Sequence, residues 1–246
     1  MNRFFVGPSD IGTDTIEITD RNDIKHISKV LRLRAGDELE ISDSVKFEYA
    51  AKIISANQSS ILLKILDKQG FAREPEIKVT LYQGLPKLGK MDSIIQKSVE
   101  LGVHSIVPVF TARSVVMEKQ DFEKKLKRWN KISAEAVKQC KRGVVPEVRD
   151  VTNFNEMISE LNRYDLALLP YEDEENTSIK NALKDLKNPV KKIALVIGPE
   201  GGFSKDEARM VVDGGGVSVS LGKTILRTET AGPAALAMIM YELELQ

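Results

Sequence analysis

The hydrophobic pattern of the chain changes near residue 73, and this change limits what each part can fold into. In residues 15–67, short strand-like segments surround one helical pattern, which is typical of a small β-structure. From residue 77 on, apolar strand-like segments alternate with helices. That alternation predicts a parallel sheet with helices on both faces. We therefore predict two domains, residues 1–72 and residues 73–246, the second being an α/β domain.

Local signals place the elements of the first domain. Apolar residues at helical spacing predict a helix over residues 23–33 with Asp23 as its N-cap. The polar stretch 69–75, which contains Gly and Pro, is predicted to be a linker. Strands are predicted over residues 15–19, 38–42, 46–56 and 60–67.

The same signals predict the order of elements in the second domain. Strands are expected over residues 77–83, 105–110, 165–170, 192–197 and 217–221. Helices are expected over residues 91–102, 122–142, 154–162, 179–186, 205–213 and 228–245.

Composition narrows the class of protein. Lys plus Arg is 36 and Asp plus Glu is 36, so the net charge is zero and neither supports nor excludes a nucleic-acid partner. The single cysteine, Cys140, excludes an intrachain disulfide, and with only two histidines a structural zinc site is not expected. The apolar runs are far shorter than the roughly 20 residues that span a bilayer. Residues 1–5 lack the features of a secretory signal. We expect a cytoplasmic protein with no metal and no membrane partner.

Three loops of the second domain follow predicted strands and are candidates for a site. They cover residues 168–172, 197–203 and 221–227. The carboxyl ends of parallel strands meet at one edge of the sheet, and ligands of such sheets bind in the loops beyond that edge. The sequence therefore predicts a binding site formed by these loops.

The second loop carries the strongest signal. Gly198, Gly201 and Gly202 would let the backbone approach a ligand closely, although glycines alone fit a tight turn equally well. Pro199 and Glu200 favour a binding loop, because the proline stiffens the segment and the glutamate adds a charged group.

Two nucleotide-binding motifs can be excluded. Residues 216–224 end in Gly-Lys-Thr and resemble a phosphate-binding loop, but five residues rather than four separate Gly216 from Gly222. The chain also has no G-x-G-x-x-G fingerprint. Neither a P-loop NTPase nor a dinucleotide enzyme is indicated.

Basic residues form two clusters. Residues 119–142 contain nine basic and three acidic residues and include Trp129; a solvated helix with Trp129 packed on the core explains most of these lysines. A second set in the first domain comprises Arg3, Lys25, His26, Lys29, Arg32 and Arg34. Two basic clusters on a neutral chain favour local attraction to phosphate.

Two motifs near the carboxyl end carry a resemblance. Residues 198–202 read Gly-Pro-Glu-Gly-Gly, and residues 226–231 read Leu-Arg-Thr-Glu-Thr-Ala. Supporting matches include Arg3-Phe4-Phe5, residues 26–32, Lys90-Met91-Asp92, Arg113-Ser114 and Arg128-Trp129. Over nearly the whole chain, and in this order, the motifs resemble the SPOUT methyltransferases and, more closely, the ribosomal RNA small subunit methyltransferase E family.

This resemblance implies a fold and an activity. The second domain would be an α/β domain with a trefoil knot, and the first a PUA-like β-barrel that binds RNA. The three loops would hold S-adenosyl-L-methionine. The protein would act as a homodimer and methylate N3 of one uridine in 16S ribosomal RNA of the small ribosomal subunit.

The resemblance also assigns roles to residues. The catalytic pair would be Arg227 and Glu229, although an acid at position 229 also suits a helix N-terminus. The cofactor would contact Leu169, Pro170, Ile197, Gly198, Pro199, Glu200, Gly201, Leu221, Gly222, Ile225, Leu226, Thr230 and Ala231. The RNA would contact Arg3, Lys25, His26, Arg32, Arg34, Arg128 and Arg142.

Two alternatives stay open. The cofactor loops would look the same in a SPOUT methyltransferase that acts on another RNA or another base atom. A non-catalytic RNA-binding assembly factor could also retain the fold, although intact glycine loops argue against a site without a ligand.

Overall fold

The computed structural model describes residues 2–71, 73–87, 89–114, 122–186 and 188–245. Contacts within the chain divide it into two units. The first holds the residues up to Glu74 together with Val137–Val145, and the second holds Pro75–Ala136 together with the residues from Pro146 onward. Residues 1, 72 and 246, which bound the predicted domains, and residues 119–121 of the basic run lie outside the described residues.

A five-stranded sheet forms the body of the first unit. Its strands are β1 (Arg3–Phe5), β2 (Thr15–Ile18), β3 (Glu38–Ser42), β4 (Phe47–Ala56) and β5 (Ile61–Gly70). They are ordered β1-β3-β4-β5-β2; β1 pairs parallel with β3, and the other pairs are antiparallel. Since strand side chains alternate between two faces, one face forms a core that includes Ile16, Ile18, Leu39, Ile41, Ile53, Ile61 and Leu63.

The predicted helix over residues 23–33 is wrong at both ends. Helix α1 (Arg21–Lys25) begins earlier, because Asp20 rather than Asp23 is its N-cap; the Asp20 carboxylate accepts hydrogen bonds from the amides of Asn22 and Asp23, both at 2.9 Å. A π-helical turn, His26–Val30, continues it. The helical segment ends before Arg32, which has a φ of 55° in the left-handed region.

The predicted linker over residues 69–75 is also wrong at its start. Strand β5 continues to Gly70, because Lys68, Gln69 and Gly70 pair with the first residues of β4. The Gln69 side-chain amide also donates to the Glu48 carboxylate at 2.9 Å. Residues 68–70 are polar or glycine, so the hydrophobic pattern did not reveal this last part of the strand.

Arg3 is a buried structural residue of the first unit. Its guanidinium donates to the Glu48 carboxylate at 2.6 Å and to the Glu40 carboxylate at 3.3 Å. The same group donates to the carbonyl oxygens of Lys141 and Arg142 at 2.9 and 3.1 Å. Only 8% of the residue is exposed. A buried arginine whose donors are paired in this way stabilises the unit and has no free face for a phosphate.

A parallel sheet forms the centre of the second unit. Its strands are β6 (Lys78–Gly84), β7 (Ser105–Phe110), β8 (Glu147–Val148), β9 (Thr152–Asn153), β10 (Leu166–Pro170), β11 (Lys192–Ile197) and β12 (Val217–Val219). The order is β12-β10-β11-β6-β7-β8, with β9 also on β7, and every pair is parallel among the described strands. The two-residue strands β8 and β9 were not predicted.

Helices cover both faces of this sheet, as predicted. They are α2 (Lys90–Glu100), α3 (Phe122–Cys140), α4 (Phe154–Glu160), α5 (Ile179–Lys184), α6 (Lys205–Asp213) and α7 (Thr228–Leu243). Residues of α4 and α6 share a core with Tyr82 and Val196. Helix α7 contacts β6 and β11 from the other face, where Gly232 lies near Leu81. None of the described helices is both long and apolar enough to span a membrane.

The Arg3 cluster gives a stability prediction. We expect Arg3→Met to destabilise the first unit by about 3 kcal/mol, because the substitution leaves Glu48 buried without its partner. Hydrogen exchange of peptides from β3 and β4 would measure the loss. The matched control is Arg34→Met, at an exposed position, for which a change within about 0.5 kcal/mol is expected. Equal protection in the two variants would contradict the structural role of Arg3.

Candidate functional site

The loops that follow β10 and β11 and the segment that precedes α7 meet at the carboxyl edge of the parallel sheet. They enclose a cavity of about 340 Å³. A second cavity of about 120 Å³ shares Pro170, Tyr171, Glu172, Ile225, Leu226 and Ala231 with it. The three loops singled out in the sequence therefore come together in one site.

Most of the predicted cofactor residues line these two cavities. The larger cavity is lined by Pro170, Ile197, Gly198, Pro199, Glu200, Ile225, Leu226 and Ala231. Leu221 and Gly222 line the smaller one. The sequence placed the three loops in one site because each follows a predicted strand of the parallel sheet, and the resemblance supplied the individual contacts.

Three predicted cofactor residues lie away from the cavity walls. Leu169 is fully buried in the core shared with α4 and α6, because its position on β10 directs the side chain into the sheet's interior. Gly201 faces Arg113, whose guanidinium donates to the Gly201 carbonyl at 2.6 Å. Thr230 is exposed in the first turn of α7, with its amide bonded to the Arg227 carbonyl at 2.8 Å.

The cavity also contains residues that were not among the predicted cofactor contacts, although Gly202 and Phe203 lie in the second predicted loop. The full set is Lys90, Tyr171, Glu172, Gly202, Phe203 and Thr228. Tyr171 and Glu172 lie in the first of the three predicted loops, so loop position could have identified them. Lys90 comes from α2, far before the loops in the sequence, and only its family motif offered a signal.

Gly202 shapes the wall of the cavity. Its φ of +64° lies in the left-handed region, which side-chain-bearing residues rarely adopt. A Cβ at this position would come within 3.0 and 3.1 Å of the two Glu172 carboxylate oxygens. The position therefore favours glycine for its backbone conformation, and a side chain there would displace the Glu172 carboxylate.

A chain of buried hydrogen bonds joins the loops to the sheet. The Gln83 side-chain amide, at the end of β6, donates to the Thr228 hydroxyl at 2.8 Å. That hydroxyl donates to the carbonyl oxygen of Gly198 at 2.6 Å. Gln83 and Thr228 are both buried. One side-chain pair thus fixes the start of the second loop to the start of α7.

Lys90 places a positive charge between two carboxylates at the cavity. Its ammonium nitrogen lies 3.2 Å from Oε1 of Glu200 and 3.1 Å from Oε2 of Glu229. The Lys87 backbone amide also donates to Glu200, at 3.0 Å. These contacts connect α2, the second loop and the first turn of α7. The predicted catalytic residue Glu229 reaches the cavity through Lys90, while Arg227 lines it directly and is exposed.

These contacts fix the charge states of the cluster. Hydrogen bonds to Glu229 and then Glu200 raise the pKa of the Lys90 ammonium, so it is cationic at neutral pH. Burial acts to raise the pKa of Glu200, but hydrogen bonds from its own amide, from Lys90 and from the Lys87 amide outweigh burial and lower it. The Glu229 amide and Lys90 lower the pKa of the Glu229 carboxyl. Both carboxylates are therefore ionised at neutral pH.

The predicted RNA contacts divide into two groups. Lys25, Arg32 and Arg34 are exposed, and His26 is half-buried with its ring 5.8 Å from that of Phe4. Arg3 and Arg142 are both buried, so the prediction that they contact RNA is wrong. Arg142 instead pairs with Glu74 at 2.8 Å.

The basic run of α3 is partly neutralised within the second unit. Arg128 is exposed but pairs with Asp92, while Lys127 and Lys131 pair with glutamates one turn away. Trp129 is buried. Most of this run is therefore a solvated helix face. Among the described residues, no group of three or more His, Cys, Asp or Glu side chains could hold a metal ion.

Comparison with known proteins agrees with this architecture. A family model described as an RNA methyltransferase domain matches residues 73–240, and one described as an RNA methyltransferase PUA domain matches residues 18–66. With the α/β fold and its carboxyl-edge cavity, these matches define the chain as an RNA methyltransferase. The ribosomal RNA small subunit methyltransferase E of Bacillus subtilis is 34% identical over 91% of this chain and 89% of its own length. The chain belongs to the ribosomal RNA small subunit methyltransferase E family, so the resemblance drawn from its motifs is confirmed.

Solved structures of similar proteins extend the comparison. The crystal structure of a ribosomal RNA small subunit methyltransferase E from Neisseria gonorrhoeae, bound to S-adenosyl methionine, is 29% identical, covers 98% of this chain and 97% of its own, and has a TM-score of 0.83. A methyltransferase from Legionella pneumophila in complex with the same cofactor is 30% identical, covers 97% and 96% of the two chains, and has a TM-score of 0.79.

The Lys90 cluster gives a prediction about protonation. We expect Lys90→Met to raise the pKa of both Glu200 and Glu229, because the ammonium that favours their ionised forms is removed. Titration of carbon-labelled glutamate side chains by NMR would measure both values. Lys87→Met is the matched control, since only its backbone amide contacts Glu200. Unchanged pKa values in Lys90→Met would contradict the ion pairs described here.

Proposed function

We propose that this protein transfers a methyl group from S-adenosyl-L-methionine to N3 of a uridine in 16S ribosomal RNA. The observation that carries the proposal is the three-loop cavity at the carboxyl edge, in a chain whose family includes structures crystallised with this cofactor. The RNA substrate follows from the names of the relatives and from the match to an RNA methyltransferase PUA domain.

The residues present fit the cofactor. The cavity volume of about 340 Å³ lies within the range of roughly 300–1,000 Å³ that small-ligand sites show. Ile197 and Leu226 offer apolar walls for adenine, and the side-chain-free backbone of Gly198 and Gly202 permits close approach. Glu172 provides a carboxylate for a hydroxyl or ammonium group. When bound, the cofactor supplies an electrophilic methyl group on a sulfonium.

The residues at the cavity would assist the uridine. N3 of uracil carries a proton and is a poor nucleophile until that proton leaves, so a proton acceptor and donors near the two carbonyl oxygens would help. Arg227 and Lys90 are cations at the cavity and can stabilise negative charge on the ring. Glu229, beside Lys90, would orient the base and assist removal of its proton.

Several finer features belong to the same proposal. We infer that residues 1–72 form a PUA-like β-barrel and residues 73–246 a trefoil-knotted SPOUT domain. We further infer that the protein acts as a cytoplasmic homodimer on the small ribosomal subunit. The exposed apolar side chains of Met238 and Tyr241 on α7 support a second copy as partner. RNA contacts by Lys25, His26, Arg32, Arg34 and Arg128 remain part of the proposal.

The reaction can be tested directly. Incubation with tritiated S-adenosyl-L-methionine and 30S subunits that lack the modification, followed by nucleoside analysis, should place the label in 3-methyluridine. Label in another nucleoside or on another base atom would replace this substrate with the broader SPOUT alternative. Absence of cofactor binding in calorimetry would favour a non-catalytic RNA-binding factor.

Gly202 gives a test of the cofactor site. We expect Gly202→Ala to weaken S-adenosyl-L-methionine binding at least about tenfold, because the new Cβ meets Glu172 at the cavity wall and strains the loop. Isothermal calorimetry would measure the affinity. Gly215→Ala is the matched control: its φ of +93° is also positive and strains the backbone, but nothing lies within 4 Å of the new Cβ. Equal affinities in the two variants would place the cofactor elsewhere.

Glu229 gives a test of the chemistry. We expect Glu229→Gln to lower kcat about a hundredfold while S-adenosyl-L-methionine affinity stays unchanged, because the amide cannot accept the N3 proton. Single-turnover methylation of saturating RNA would measure the rate. Glu242→Gln, near the other end of α7, is the matched control. A parental rate in Glu229→Gln would leave Glu229 only its place at the helix N-terminus and its ion pair with Lys90.

A further inference from the structure

A further cavity, distinct from the two at the carboxyl edge, lies at the amino edge of the parallel sheet. Its volume is about 420 Å³. Lys78 and Lys192, the first residues of β6 and β11, line it and lie directly opposite each other in the strand register. These strands are six or seven residues long, so roughly 20 Å of sheet separates the two edges at about 3.3 Å per residue. The amino-edge cavity is thus distinct from the cofactor site.

Cations outnumber carboxylates around this cavity. Lys78, Lys192, Arg149 and Arg163 line it, whereas Glu147 is the one carboxylate in its described lining. Glu160 lies behind the two arginines. Asp165 is close to Lys192, but its carboxylate accepts hydrogen bonds from the amides of Lys191 and Lys192. Neither Lys78 nor Lys192 forms an ion pair with any residue that the structure describes, and both are exposed.

A hydrogen-bonded glutamate lies next to the two arginines. The buried Tyr82 hydroxyl donates to Oε2 of Glu160 at 2.6 Å. The other oxygen of Glu160 lies 3.5 Å from the Arg149 guanidinium and 3.8 Å from that of Arg163. Glu160 therefore lies near both guanidinium groups and forms a weak hydrogen bond with that of Arg149.

Hydroxyl groups complete the lining. The Thr80 and Ser105 hydroxyls lie 3.0 Å apart within hydrogen-bond distance of each other, and Tyr164 also lines the cavity. Lysine, arginine and hydroxyl donors are the groups that bind phosphate oxygens. The exposed pair Lys78 and Lys192 spans two neighbouring strands, which suits a phosphodiester chain passing over the edge better than one small enclosed ion.

We propose that this amino edge is a second RNA-binding surface, which contacts the phosphate backbone of the substrate at a distance from the methylated nucleotide. The proposal rests on the proposed function, because it takes the ligand to be the RNA that the enzyme methylates. The surface would contribute affinity and orientation without sequence readout, as phosphate contacts do. It would take no part in the chemistry.

The test compares two double variants of the full chain. In Lys78→Gln/Lys192→Gln, we expect the Kd for a 16S ribosomal RNA fragment to rise about tenfold and the slope of log K against log salt to fall by about 1.4, the value for two lost contacts to a single strand. Lys97→Gln/Lys184→Gln removes two exposed lysines that do not line the cavity and serves as the matched control, with less than a twofold change expected. Filter binding over a range of salt concentrations would measure both.

Further readouts separate the possible failures. S-adenosyl-L-methionine affinity and kcat at saturating RNA should match the parental values in both variants, while KM for RNA rises only in Lys78→Gln/Lys192→Gln. Equal RNA affinity in the two double variants would overturn the second surface even if the parental protein methylates normally. One further result would also overturn it. If Lys78→Gln/Lys192→Gln loses the tripolyphosphate binding that calorimetry detects in the parental protein but keeps the parental RNA affinity, the cavity is a site for a free phosphate ligand. A parental protein that methylates nothing would instead contradict the proposed function.

Discussion

The architecture of the candidate site depends on the close approach of the second loop to strand β6. A Cβ on Gly84, the last residue of β6, would lie 2.6 Å from Cδ of Pro199 and 2.7 Å from its nitrogen. Only a residue without a side chain lets Pro199 lie there. The Gln83–Thr228–Gly198 hydrogen bonds then hold the same loop to α7. Because Gln83 and Gly84 are adjacent, the end of one strand sets the position of both cavity-forming segments.

The electrostatics of the site follow from the same arrangement. Once the second loop and α7 are fixed beside β6, Glu200 and Glu229 lie close enough to share the Lys90 ammonium. Two neighbouring carboxylates without a cation would repel each other and raise at least one pKa. Lys90 prevents this, and Arg227 adds an exposed positive group while Glu172 adds a further carboxylate. Lys90 of α2 therefore contributes as much to the charge that faces a substrate as the residues of the loops do.

The sequence predicted best what depends on local pattern. Strands β7 and β11 and helix α6 have their predicted limits, because apolar runs and the Ser204 cap define them locally. The loop glycines and prolines also indicated the cavity. Helix α1 was misplaced because Asp20 and Asp23 are both acceptable caps, and only the observed hydrogen bonds distinguish them. Lys90 and the buried state of Arg3 depend on partners far away in sequence, which no local pattern reports.

The number of basic residues in a segment does not show where the folded protein presents unpaired positive charge. The basic run of α3 is dense in sequence, yet Lys127, Arg128 and Lys131 each pair with a carboxylate. Lys78 and Lys192 of the amino edge are more than a hundred residues apart and come together because the parallel strands β6 and β11 start at a common edge. Oppositely charged residues one turn apart on a helix pair with each other, and their charges cancel. The first residues of neighbouring parallel strands instead lie side by side, so like charges can accumulate there. For a polyanionic substrate, topology therefore brings together two exposed lysines, Lys78 and Lys192, that lie far apart in the sequence and outside the segment richest in lysine.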